Sequence, residues 1–189
     1  MDAPGPELTT RHLRMRRWTD ADREPFAGMN ADPEVMEHFP ALMSRPESDA
    51  VVDRVEGWFT EHGYSWWVLE RLADGEFLGF TGLSTPRFDA PFMPAVEVGW
   101  RLRRSAWGHG YATEAATAAL DFGFGVVGLD HVVSMTPTTN LRSQAVMHRL
   151  GMTHDPADDF DHPALPTASH LRRHVLYRTT APRWAARER

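Results

Sequence analysis

The chain contains no cysteine and no lysine, so all 20 of its basic residues are arginines. Without cysteine there is no disulfide stapling, no thiolate-ligated zinc and no thiol nucleophile. Without lysine there is no Walker A phosphate loop and no Schiff-base chemistry, each of which needs an amine at a fixed place. No G-x-S-x-G occurs, which removes the nucleophile elbow of a serine hydrolase. No apolar run approaches the roughly 20 residues that span a bilayer. The opening stretch lacks the basic-then-apolar order of a secretory signal. A cytoplasmic protein without a membrane partner is expected. Net charge is −6, and the arginines are scattered among 26 carboxylates rather than gathered in a stripe; this argues against nucleic acid as a ligand.

What is present suffices for one core, since 189 residues with 42% hydrophobic content can bury a single substantial interior. The Pro- and Gly-rich start, to about Thr9, is expected to fray. Leu13 and Met15 alternate with arginines toward Trp18, as in a half-exposed strand. Two short helices should follow, one capped by Asp22 with Pro25 in its opening turn, the other opened by Asp32-Pro33. Ser44 to Glu47 reads as a capping box, leading a helix of Val51, Val52, Val55, Trp58 and Phe59 to a stop at Gly63. Trp66–Glu70 and Glu76–Ser84 form a predicted hairpin around Ala73-Asp74-Gly75, and Arg87–Pro94 is a loop. In the next strand Val96, Val98, Trp100 and Leu102 share one face while Glu97, Gly99 and Arg101 share the other. Helical spacing of Ala112, Ala115, Ala116, Ala119 and Leu120 predicts a helix from Tyr111 to about Phe124. A strand at His131–Thr136, a helix at Asn140–Leu150 stopped by Gly151, and strands at Met152–His154 and His174–Thr180 complete the order. That order describes an α/β (α+β) sheet with helices on its faces.

Chemistry concentrates between a strand and a helix, at Trp107-Gly108-His109-Gly110-Tyr111-Ala112-Thr113-Glu114-Ala115. Two glycines let backbone N–H groups point into one hollow, and the following helix adds unsatisfied amides and partial positive charge. Such a place binds an anion, typically phosphate; a purely structural turn is the competing reading. The dinucleotide fingerprint fails here for want of a third glycine. His109 contributes its backbone rather than its ring. The stretch Asp155–His162 carries Asp155, Asp158, Asp159, Asp161 and His162 without a recognised ligand spacing, so a solvated acidic loop is expected and no metal.

Trp107–Ala112 resembles the acetyl-CoA pyrophosphate loop of the GNAT N-acetyltransferase superfamily, Q/R-x-x-G-x-G/A, with Gly110 and Ala112 on the small positions. Trp107 departs from the usual Gln or Arg. The departure itself is similar to the RimJ/RimL-type branch, which commonly reads W-G-x-G-Y-A-T-E-A. Glu97-Val98-Gly99-Trp100 resembles that branch's E-I-G-Y strand, Asn140-x-x-Ser143 its N-x-x-S, and Leu150-Gly151-Met152 its L-G-F. Leu13–Arg16 and Asp32–Met36 resemble its opening strand and helix. The likeness spans Leu8 to Thr180, implying one domain over residues 8–180 with short tails at 1–7 and 181–189.

The resemblance implies a mixed, mostly antiparallel central sheet of about six to seven strands with helices on both faces. It also implies acetyl-CoA as acyl-donor cosubstrate and an amine acceptor, whether a protein N-terminus, a peptide or a small molecule. The cosubstrate would be held by Trp100, Arg101, Leu102, Trp107, Gly108, His109, Gly110, Tyr111, Ala112, Thr113, Asn140 and Ser143. Glu97 is the expected general base, able to deprotonate an amine through a water. Gly99 either exposes a backbone N–H to an oxyanion or admits a neighbouring tryptophan. The family's frequent tyrosine donor is replaced by Met147, which leaves Ser143 as donor to the departing thiolate. Asn140 could bond the pantetheine amide, cap its helix, or do both. The acidic residues of 155–162 would border the acceptor groove and attract a cationic amine. A catalytically silent coenzyme A-binding module is the alternative function. Oligomeric state is left open, a homodimer included.

Overall fold

A computed structural model of the chain describes residues 6–187. Part of the stretch expected to fray, residues 1–5, lies outside the described residues, as do 188–189. Leu8–Thr9 do not fray: they form β1, paired with β2 at Leu13–Arg16. The sheet continues with β3 (Trp66–Arg71), β4 (Phe77–Ser84), β5 (Glu97–Leu102), β6 (His131–Pro137), β7 (Thr153–His154), β8 (Phe160–Asp161) and β9 (Arg173–Thr180). Its order is β1-β2-β3-β4-β5-β6-β9-β7, with β8 also on β9. Nine strands are present among the described residues, against the six or seven expected, because β1 and β8 are two-residue strands that carry little periodicity of their own. Every pairing is antiparallel except β5 with β6, which are parallel and meet at a single register position, Glu97 opposite Val133. Beyond that point the two strands part. That opening positions everything functional described below.

Helices cover both faces. On β4, Phe80 meets Phe26 of α1 (Arg23–Asn30), with ring centroids 6.0 Å apart. The opposite face of the sheet carries Trp67, whose indole lies 5.5 Å from Phe122 at the end of α3 (Tyr111–Phe122). The helix α2 (Arg45–His62) follows its local signals closely. Glu47 accepts the Ser44 N–H and hydroxyl at 2.7 Å, and Gly63 ends the helix at φ +77°.

Two local expectations fail for identifiable reasons. Asp22 directly precedes α1 but does not cap it. Its carboxylate instead accepts the Thr19 N–H and hydroxyl and pairs with Arg16, all at 2.8 Å. The segment opened by Asp32-Pro33 makes one helical bond, Met36 N–H to Asp32 C=O, and then turns. Pro40 follows too soon: it removes a donor and disfavours helical geometry at Phe39.

The remaining helices are α4 (Leu141–Arg149) and α5 (Ala181–Ala185). The latter falls in the expected carboxyl-terminal tail, yet Trp184 is 4% exposed and joins the main core, with its indole N–H on Asp121. Packing therefore extends past Thr180.

Candidate active site

Where β5 leaves β6, a cavity of about 890 Å3 opens between the end of β5, the turn before α3 and the inner face of α4. It gathers Trp100, Arg101, Leu102, Trp107, Gly108, Gly110, Tyr111, Ala112, Thr113, Asn140 and Ser143, eleven of the residues singled out from sequence. His109 is not among them; its ring is exposed and stacks on Tyr111 at 5.5 Å. Glu97 stands outside this cavity too, at the strand junction.

The turn before α3 has the form its glycines suggested. Gly108 and Gly110 take φ of +81° and +82°, and a Cβ built on either would meet no heavy atom within 4 Å. Both therefore border open space in a conformation that side chains resist. The first bond of α3 runs from the Glu114 N–H to the Gly110 C=O, so the amides of Tyr111, Ala112 and Thr113 precede the helical ladder. Amides turned toward one hollow at the positive end of a 12-residue helix can hold a diphosphate. Glu114, in the first turn of α3, also lines the cavity, but its carboxylate is engaged elsewhere. It accepts from the Thr10 hydroxyl and from the His12 N–H and meets the His12 ring, at 2.5 to 2.8 Å.

Strand parity decides which peptide groups face the gap. The Val133 N–H bonds the Val96 C=O, and the Arg103 N–H bonds the Leu78 C=O. Even-numbered residues of β5 therefore point their N–H and C=O toward β6, and odd-numbered ones toward β4. The Gly99 N–H is turned to β4, where Gly99 sits opposite Gly82, and is not offered to an oxyanion. The Trp100 and Leu102 N–H groups are the ones aimed into the gap. Gly99 does not admit a tryptophan either, since a Cβ there would meet nothing within 4 Å. It lies under open space between Glu97 and Arg101 on the α1 side of the sheet.

Electrostatics on that face are unusual. Burial pushes the half-buried Glu97 carboxyl up to about 7, against the opposing pull of the Met135 backbone N–H. Burial likewise pushes Arg101 down to about 10. The Arg101 guanidinium donates to Asn30 Oδ1 at 2.7 Å and lies 3.9 Å from the Phe39 ring centroid, so it fastens the 31–44 segment over the sheet. Asn140 caps α4 through Oδ1, which accepts the Ser143 N–H at 3.1 Å, while Nδ2 donates to the Thr136 hydroxyl. Met147, at the position of the absent tyrosine, is buried in the core.

The acidic stretch is less available than its composition implied. Asp158 pairs with Arg178, Asp159 with His154, and Asp161 with Arg172 and Arg173, while Asp155 accepts the Ala157 N–H. Arginine partners therefore offset part of this loop's negative charge, while Asp155 keeps its charge without a cationic partner among the described residues.

Sequence reasoning missed Glu34, Val35, His38, Arg142 and Arg149, all of which line the cavity. Arg142, Val146 and Arg149 are spaced i, i+4, i+7, so helical periodicity applied to α4 identifies them once its inner face is known. The other three come from a segment without periodicity, and no local signal marks them.

Comparison with known proteins agrees with this architecture. The family described as Acetyltransferase (GNAT) domain matches residues 12–153. An uncharacterized protein of Bacillus subtilis, YkkB, is 30% identical over 147 residues, covering 77% of this chain and 84% of that protein. FsC-acetyl coenzyme A-N(2)-transacetylase of Aspergillus fumigatus is 32% identical over 79% of this chain and 66% of its own length. The crystal structure of an acetyltransferase from Agrobacterium tumefaciens superposes with a TM-score of 0.74 at 27% identity, covering 92% of this chain and 94% of that one. The chain belongs to the GNAT acetyltransferase family, as an N-acetyltransferase that draws its acetyl group from acetyl-CoA.

Proposed function

We propose that the enzyme acetylates a primary amine, at a protein N-terminus, on a peptide or on a small molecule, by direct attack of the amine on the acetyl-CoA thioester. The observation that carries this reading is the cavity at the β5/β6 gap, which joins the anion-holding turn to the open edge of β5. The diphosphate would lie on the amides from Gly108 to Thr113, that of His109 among them, with Trp107 beside them. The pantetheine arm would run along Trp100, Arg101 and Leu102 toward Asn140 and Ser143. As the new C–N bond forms, the Trp100 N–H is placed to stabilise the carbonyl oxygen. Glu97, with a pKa near 7, takes the amine proton through a water, and the C–S bond then breaks. A thiolate with a pKa near that of cysteine, about 8.5, needs little help to leave. The Ser143 hydroxyl, from the cavity wall, would be the proton donor to it.

The name of the Aspergillus relative specifies acetyl transfer to an N(2) nitrogen, which supports an amine acceptor. A ribosomal-protein-S5-alanine acetyltransferase from Vibrio fischeri shares the fold at 18% identity with a TM-score of 0.73. Together with the Trp107–Ala115 motif, it favours a place near the RimJ/RimL-type branch. No helix among the described residues is long and apolar enough to cross a membrane. The test is thiol release from acetyl-CoA against a panel of peptide N-termini, amino acids and polyamines. Turnover with a primary amine supports the reading; coenzyme A binding without turnover on any amine refutes it.

A further inference from the structure

Coenzyme A carries two anionic groups on one ribose, the diphosphate and a 3′-phosphomonoester. The turn at Gly108–Thr113 provides for the first. We propose that Arg104 and Arg142, gathered against the Trp107 indole, form a seat for the second, so that the enzyme selects 3′-phosphorylated coenzyme A over its dephosphorylated analogue. This inference rests on the proposed cosubstrate site.

Trp107 immediately precedes the anion-holding turn and lines the same cavity. Its ring is fixed by the indole N–H, which donates to the Leu102 C=O at 2.8 Å. Two guanidinium carbons lie over that ring, Arg104 at 4.9 Å and Arg142 at 4.6 Å from its centroid. One comes from the turn after β5 and the other from α4, so the fold assembles the pair. Arg142 sits in the first turn of α4, where a cation opposes the helix dipole, and its placement therefore does not serve that helix. Two like charges on one indole need an anion between or beside them. In this structure Glu34 meets Arg104 at 3.5 Å and Glu37 meets Arg142 at 2.6 Å, with all four side chains more than half exposed. Exposed pairs of this kind add little stability and exchange readily. A phosphomonoester dianion offers each arginine fork several strong acceptor oxygens, and it would displace the carboxylates. The two glutamates then act as placeholders that keep the forks at the cavity mouth.

The experiment is calorimetric titration of the full chain with coenzyme A and with dephospho-coenzyme A, which differ only in the 3′-phosphate. The wild-type protein is expected to favour coenzyme A by about ten- to a hundredfold. Arg142→Gln should bring the ratio to within about threefold, chiefly by weakening coenzyme A. Glu37→Gln, which frees Arg142, should raise the ratio. Equal wild-type affinities overturn the proposal, as does an Arg142→Gln variant that weakens both nucleotides alike or a Glu37→Gln variant that lowers the ratio. Binding of neither nucleotide would instead overturn the cosubstrate site beneath it.

Discussion

Replacing Glu97 with glutamine tests the proposed chemistry through two readouts that move in opposite directions. The side chain keeps its shape and loses its charge. If Glu97 is the base, its ionised fraction at a pKa near 7 rises from ~9% at pH 6 to ~91% at pH 8, so wild-type kcat/KM should climb about tenfold across that interval. Acceptors whose amine pKa values differ by two units or more separate this limb from titration of the substrate, because the enzyme's limb stays near 7 in each case. Glu97→Gln should lose about 10²- to 10⁴-fold in kcat/KM and lose the limb. Stability should respond with the reverse sign. The folded pKa of about 7 lies above the ordinary value of 4.5, so the favourable, protonated form is fully present below about 4.5. Its contribution is lost as pH rises through 7. The variant, which never ionises, should therefore equal the wild type near pH 4.5 and exceed it at pH 8, by at most about 3 kcal/mol. Urea unfolding at the two pH values measures this. A pH limb near 7 that survives in Glu97→Gln, or a stability difference independent of pH, would refute the argument.

Gly110→Asp should abolish acetyl-CoA binding in calorimetry, because it forces a side chain to φ +82° and sets a carboxylate against the diphosphate. Ser143→Ala should lower kcat by less than about tenfold, since a thiolate of low basicity leaves nearly unaided; a loss above about 10³-fold would mark Ser143 as indispensable. Trp184→Ala should cost about 3–5 kcal/mol in thermal or urea unfolding, as expected for a core aromatic and not for a tail residue.

The sequence by itself determined the features that neighbouring residues settle among themselves. The capping box at Ser44 and Glu47, the stop at Gly63, the alternation along Glu97–Leu102 and the paired glycines of the anion-holding turn depend on backbone preferences within a few positions. The helix expected after Asp32 shows the limit of such signals, since Pro40 vetoed what Asp32-Pro33 began. Only the tertiary structure decided that β5 and β6 meet once and then diverge, which makes the cavity and turns the Trp100 amide rather than the Gly99 amide into it. It also decided that Arg101 would pin Asn30 and Phe39, that Arg104 and Arg142 would share one indole, and that Glu97 would be desolvated. These pairings join residues tens of positions apart. No local preference encodes them, because their energies come from burial and charge that exist only after the sheet has closed on its helices.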